Sequence, residues 1–287
     1  MRWRSGGPGG NIEDRRAETG GRMMRGGGIG CGTLLFLIVL SVIFKQDFLS
    51  LLGPVLVTEE TAPAPAPSEE FRTTPEEEEL VEFMRFVAGD LDATWRQVLP
   101  RAGGSYQDAT LVLFRDAIQS GCGFAGAATG PFYCPADGKV YLDLGFFDEL
   151  RRRFGAPGDF AQAYVIAHEV GHHVQNLLGI EREVRRLQSQ NPGAANDLSV
   201  RMELQADCLA GVWGNSTAQR GILESGDVEE GLAAAAAIGD DRIQRQSQGY
   251  VAPESFTHGS SEQRVGWFRK GLSTGDPDAC DTFSAQS

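Results

Sequence analysis

The chain has 287 residues, of which 41% are hydrophobic and 23% charged, with a formal net charge of −13. That length and balance suit one large domain or two small ones with ample core, and exclude a disordered or fibrous chain. Residues 1–28 hold six arginines against three acids, so the rest of the chain is strongly acidic and lacks the basic footprint that a nucleic-acid partner needs.

In chain order, residues 1–28 are Arg- and Gly-rich and read as a flexible cytoplasmic segment. Residues 29–44 (IGCGTLLFLIVLSVIF) contain no charge and end at Lys45. They read as a short transmembrane span, with Cys31 as a packing residue inside it. The arginines before the span place the N-terminus in the cytoplasm and the body outside it. A cleaved signal peptide is the rival. The long arginine-containing lead and the lack of a small-x-small site favour an uncleaved signal-anchor. The expectation is therefore a single-pass membrane protein with an extracytoplasmic domain. Residues 45–75 read as a juxtamembrane stretch and a Pro/Ala/Glu linker, and residues 76–287 as the folded domain.

That domain reads as α+β, mostly helical with a small sheet. Leu80, Phe83, Val87, Leu91 and Trp95 recur at helical spacing over 76–99. Residues 109–118 read as a strand or short helix, 121–138 as a Gly/Ala/Pro-rich loop, and 139–144 (KVYLDL) as an alternating strand. Asp159 with Gln162 reads as a capping box opening a helix to about residue 177, with Gly179 as its stop. Further helices are predicted over 197–213, from Asp227 with Glu230, and from Ser260 with Gln263. Cys122, Cys134, Cys208 and Cys280 lie in the domain, and none shows the CxxC spacing of a metal site. An even set in an oxidising compartment suggests two disulfides, and Cys122–Cys134 with Cys208–Cys280 is the preferred pairing of three.

His168-Glu169-Val170-Gly171-His172 is an HExxH motif on a predicted helix. Residues i and i+4 share one face, so both imidazoles reach one ion, and Glu169 beside it can take a proton from bound water. Two buried neutral imidazoles need partners, and a metal supplies one. Gly171 costs about 1 kcal/mol in a helix interior, which close packing of another element would explain. Catalytic zinc takes three protein ligands and an open fourth position. Glu203, 31 residues after His172, is the candidate third ligand, on a returning antiparallel helix. Asp207 shares its face and could accept the outer N–H of a ligand histidine. His173 points off the metal face and reads as structural. His258 is a tentative oxyanion donor, or equally a helix cap or a surface residue. The strand over 139–144 offers an edge to which a peptide substrate could add.

HEVGHHVQ, ELQADCLAG and SFTHGSSEQRVGWF together resemble the bacterial neutral zinc metallopeptidase family with a single N-terminal membrane anchor. The MRW and NIEDRR segments resemble it too. The resemblance implies a zincin-like fold of the gluzincin type, with Zn²⁺ held by His168, His172 and Glu203. It also implies Glu169 as the catalytic acid/base and Asp207 behind the ligands. The expected activity is a membrane-anchored zinc endopeptidase acting on peptides or proteins. The alternatives are a non-catalytic zinc-binding envelope module and a metal-dependent hydrolase of non-peptide amides. Changing Glu169 separates the module from the enzyme.

Overall fold

The structure, a computed structural model, describes residues 1–6, 9–18, 73–126, 129–152, 155 and 158–284. Helix α1 (Pro75–Val98) starts where the Thr74 side chain accepts from the Glu77 amide, with Pro75 in the first turn and Glu76, Glu77 and Glu78 beside it. Cap, proline and acids each favour that end of a helix. Val81, Met84, Val87, Leu91 and Trp95 form its buried stripe.

Four strands make one sheet in the order β1 (Asn11–Asp14), β2 (Thr110–Phe114), β6 (Lys139–Asp143), β5 (Phe132–Cys134). The β1–β2 and β2–β6 pairs are parallel, and β5 runs antiparallel to β6. The two central strands are buried almost throughout, which is why TLVLF is an apolar run and not an alternation. A separate hairpin pairs β3 (Ala117–Ser120) with β4 (Gly123–Gly126). Two strands, β4 and β5, thus lie within the stretch read as a loop. They are only four and three residues long, too short for alternation to show. Cys122 is bonded to Cys134, tying the end of the hairpin to β5.

Among the described residues the other α-helices are α2 (Leu144–Arg152), α3 (Asp159–Leu177), α4 (Ile180–Gln190), α5 (Ala195–Gln219), α6 (Asp227–Ala237), α7 (Asp240–Gln248) and α8 (Ser261–Thr274). The fold is α+β and mostly helical. Gly158, not Asp159, precedes α3 as its cap, and the Glu230 carboxylate accepts from the Phe160 amide (3.3 Å). Glu230 therefore caps a neighbouring helix and not its own. The Ser260/Gln263 capping box does open α8.

Helices α3, α5 and α8 meet at glycines. A Cβ on Gly171 would lie 3.0 Å from the Ala206 carbonyl oxygen, one on Gly211 2.1 Å from that of Phe268, and one on Gly271 1.9 Å from that of Cys208. No side chain fits at the last two positions without separating α5 from α8. The Cys208–Cys280 disulfide ties α5 to the turn over Pro277–Cys280 that follows α8.

The single-pass arrangement is overturned. Among the described residues no helix is long and apolar enough to cross a membrane, and the predicted span, 29–44, lies outside them. The physical obstacle is in the flanks. Strand β1 pairs with β2 from Asn11↔Thr110 to Asp14↔Leu113. Buried Arg16 forms ion pairs with Glu77 (3.1 Å) and Glu78 (3.0 Å) at the start of α1. The α-amino group of Met1 lies against Asp159 (2.8 Å). The N-terminal residues belong to the same compact unit as residues 74–287. They cannot lie across a membrane from it, as one crossing between the two would require.

Two deletions test this assignment. Excising 20–72 and joining the ends by a short Gly/Ser linker is expected to leave cooperative unfolding intact. Starting the chain at residue 74 removes β1, Arg16 and the Met1 contacts. It is expected to lower Tm by about 5–10 °C, at roughly 2–4 °C per kcal/mol for this size. Thermal unfolding followed by circular dichroism reads both.

Candidate metal and catalytic site

Helix α3 is buried along most of its length, from Phe160 to Gln175. Its motif face meets α5, with Tyr164 opposite Asp207, Gly171 opposite Ala206 and Gln175 opposite Met202. Ascending numbers on one helix meet descending numbers on the other, so the two run antiparallel. The 31-residue gap from His172 to Glu203 holds the extra helix α4, whose amphipathic run was not singled out in the sequence.

His168 Nε2 lies 3.1 Å from Glu203 Oε2, and His172 Nε2 lies 3.4 Å from Oε1 of the same carboxylate. One ligand-type atom from each residue falls within 4.8 Å of the others. The outer nitrogens are occupied. His168 Nδ1 donates to Asp207 Oδ1 (2.8 Å), and His172 Nδ1 donates to Gln175 Oε1 (2.8 Å). Each imidazole is therefore held with Nε2 facing Glu203, the orientation that outer hydrogen bonds impose on metal-ligating histidines.

Both supports are themselves fixed. Gln175 Nε2 donates to the Met202 carbonyl (2.7 Å) and to Gln205 Oε1 (3.0 Å), and Gln205 Nε2 donates to the Cys280 carbonyl (3.1 Å). The second disulfide thus braces the second histidine. Asp207 has no solvent exposure. Besides His168 it accepts from the Tyr164 hydroxyl (2.5 Å) and from Arg264 Nε (2.8 Å) and Nη2 (2.9 Å). Arg264, on α8, is 2% exposed and supplies the opposite charge that a buried carboxylate requires.

The Glu203 and Asp207 carboxylates make the site favour positive charge on the groups between them. Burial opposes a charge on His168, but the Asp207 charge and hydrogen bonds to Asp207 and Glu203 push its pKa up to about 10. His172 is raised for the same kind of reason, with Glu203 as its partner. Burial works against ionised Glu203 too, yet the facing imidazoles hold its carboxyl well below the usual range. Two imidazole nitrogens and a carboxylate oxygen are the donor set of a catalytic zinc with an open position, so these residues fit that ion.

Glu169, His258 and the His168–His172–Glu203 trio all line one cleft of about 530 Å³, with Tyr133 of β5 on its wall. The edge at this cleft is β5. Strand β6, where the sequence placed the edge, is an internal strand between β2 and β5. His258 is half-exposed, and its Nδ1 lies 3.1 Å from Asp240 Oδ1. Asp240 Oδ2 accepts the amides of Thr257, His258 and Gly259, so one carboxylate fixes both the loop and the ring. Gln175, Asp240 and Arg264 were not singled out in the sequence, and Tyr164 reads there only as part of an apolar stripe beside the motif histidines. Gln175, three residues past His172 on the same helix, had a readable local signal. Tyr164, four residues before His168 on that helix, had one too, whereas Asp240 and Arg264 become neighbours only through the fold.

Over residues 1–283 the chain matches the family described as "Putative neutral zinc metallopeptidase". YpfJ of Escherichia coli is 49% identical over 290 residues, covering 99% of each chain. Rv2575 of Mycobacterium tuberculosis and Mb2605 of Mycobacterium bovis are each 48% identical over 206 residues, 68% of each chain. None of the three names states an activity. No solved structure matches the chain.

Gln175→Leu leaves His172 free to turn and is expected to weaken zinc binding about 10–100-fold, read by competition with a chromogenic chelator. Arg264→Met strands the Asp207 charge and is expected to cost about 3–5 kcal/mol of stability, read by denaturant unfolding. Arg264→Met combined with Asp207→Asn should recover part of that loss.

Proposed function

The chain belongs to the neutral zinc metallopeptidase family, and from that premise we propose that it is a zinc-dependent endopeptidase cutting extended peptide segments. The observation that carries the reading is the convergence of His168 Nε2, His172 Nε2 and Glu203 beside Glu169, in a cleft walled by an open strand edge. Bound there, zinc would lower the pKa of its water to about 7 and polarise a carbonyl.

The chain's own residues supply the rest. Strand β5 pairs with β6 on one side only among the described residues. Its other side offers backbone donors and acceptors to a peptide laid along the cleft, which would lock the scissile bond in register. Glu169, 8% exposed, takes a proton from the attacking water and hands it to the leaving amine. The Asp240 hydrogen bond raises the pKa of His258, and the Glu203 charge adds to this. Asp240 at Nδ1 leaves Nε2 free to donate to the oxyanion as the carbonyl becomes tetrahedral.

Glu169→Gln is the first test. The native chain and the variant should each hold about one zinc per chain, and only the native form should cleave casein or a peptide library. Zinc in both with cleavage in neither would turn the reading toward a zinc-binding module or a non-peptide amide hydrolase. His258→Phe is expected to lower kcat about 10²–10³-fold with KM and zinc content little changed. An unchanged kcat would remove His258 from the chemistry.

A further inference from the structure

His173 follows a ligand directly, yet its ring turns the other way and is 5% exposed. Its Nε2 lies 2.8 Å from the Gln107 carbonyl oxygen. A carbonyl only accepts, so Nε2 carries the proton and Nδ1 of the neutral ring is left as an acceptor. The Tyr133 hydroxyl lies 3.3 Å from that Nδ1 and fills it. The same hydroxyl accepts from Asn176 Nδ2 (2.8 Å). Tyr133 therefore uses its oxygen as donor and acceptor at once, toward two residues one helical turn apart on α3.

The far anchor is rigid. Gln107 lies between Tyr106, whose hydroxyl donates to Asp92 Oδ1 (2.8 Å), and Ala109, whose amide donates to the same oxygen (3.2 Å). Tyr106 and Tyr133 both stand edge-on to the His173 ring, with centroids 5.8 and 5.6 Å away. His173 is thus clamped between the loop before β2 and the middle residue of β5.

Each residue of β5 is separately fastened. Phe132 stacks on Tyr141 at 4.9 Å and 6°, Tyr133 is held by His173 and Asn176, and Cys134 is disulfide-bonded to Cys122. A three-residue strand with one open side has few ladder hydrogen bonds of its own to hold it at a fixed distance from a metal site. Preordering the strand also removes an entropic cost from peptide binding.

We infer that His173 is a positioning residue for substrate: acting through Tyr133 with Asn176, it sets the height and register of the β5 edge over the His168–His172–Glu203 centre. The inference rests on the peptidase reading. The device ties strand and centre to consecutive residues, since His172 faces the metal position and His173 faces the strand.

The test uses the full chain with Tyr133→Phe, which keeps the ring and loses the hydroxyl, with His173→Phe, and with the double variant. Zinc content, kcat and KM for a peptide, and amide hydrogen exchange at residues 132–134 are measured. Each single variant is expected to raise KM about tenfold, the scale of one lost hydrogen bond, with kcat and zinc content within about twofold of native. The double variant should lose less than the sum of the two singles, because both break the shared Tyr133–His173 contact, while Tyr133→Phe alone also loses Asn176 and His173→Phe alone also loses Gln107. Exchange at 132–134 should quicken in all three. Unchanged KM, additive losses, or a fall in kcat or zinc content in place of the rise in KM would overturn the inference. If the native chain cleaves no peptide, the peptidase reading fails on its own. The exchange measurement then decides the clamp: faster exchange supports it, and unchanged exchange in Tyr133→Phe overturns it.

Discussion

Asp207 carries a carboxylate into a place with no water, and much of the centre is arranged to make that tolerable. A lone buried charge is prohibitive. Here it is met by an arginine from α8, a tyrosine from α3 and the imidazole of His168. Those partners come from two helices other than its own, so the charge is satisfied only when three helices are in place. The glycines at their crossings serve the same end, because Gly211 and Gly271 bring the α5 and α8 backbones close enough for Arg264 to reach across. Replacing such a cluster with apolar residues could yield an equally stable fold, but it would leave His168 without a fixed direction. The unfavourable burial is what fixes the direction of that imidazole.

The second histidine is steadied differently. Its support is neutral, running from Gln175 through Gln205 to the carbonyl of Cys280. One imidazole thus leans on an anion and the other on an amide chain. The two imidazoles are supported unequally, one by a charge and one by neutral amides. The Cys208–Cys280 bond stands next in sequence to Asp207 and at the end of the amide chain, so it buttresses both supports.

What could be read from the sequence was what the chain encodes locally. HExxH places two imidazoles on one helical face whatever surrounds it, and the Ser260/Gln263 box marks the start of α8 within four residues. Glu203 and Asp207 were legible as a pair at i and i+4, and the structure sets both against His168. Arg264 was not legible, because an arginine in a helix's first turn is unremarkable until the helix docks. Strand β5 was hidden by its length, and Glu230 by capping a helix 70 residues away. The largest misreading concerned the N-terminus. Asn11–Asp14 is a polar four-residue strand whose partner lies about a hundred residues on, and nothing local announces it. The conspicuous apolar run that follows drew the topology toward a membrane crossing that the pairing of β1 forbids.

That pairing also orders events in time. Residues 11–14 leave the ribosome before their partner strand, Thr110–Phe114, has been made. At roughly 5–20 residues per second, β1 waits about 5–20 s before it can dock. Parallel pairing over such a separation is also slow to nucleate, because loop closure is met before any contact rewards it. The sheet is thus finished by its oldest segment. During synthesis the nascent chain presents an unfilled edge on β2, which the N-terminus of the same molecule must reach before another chain does.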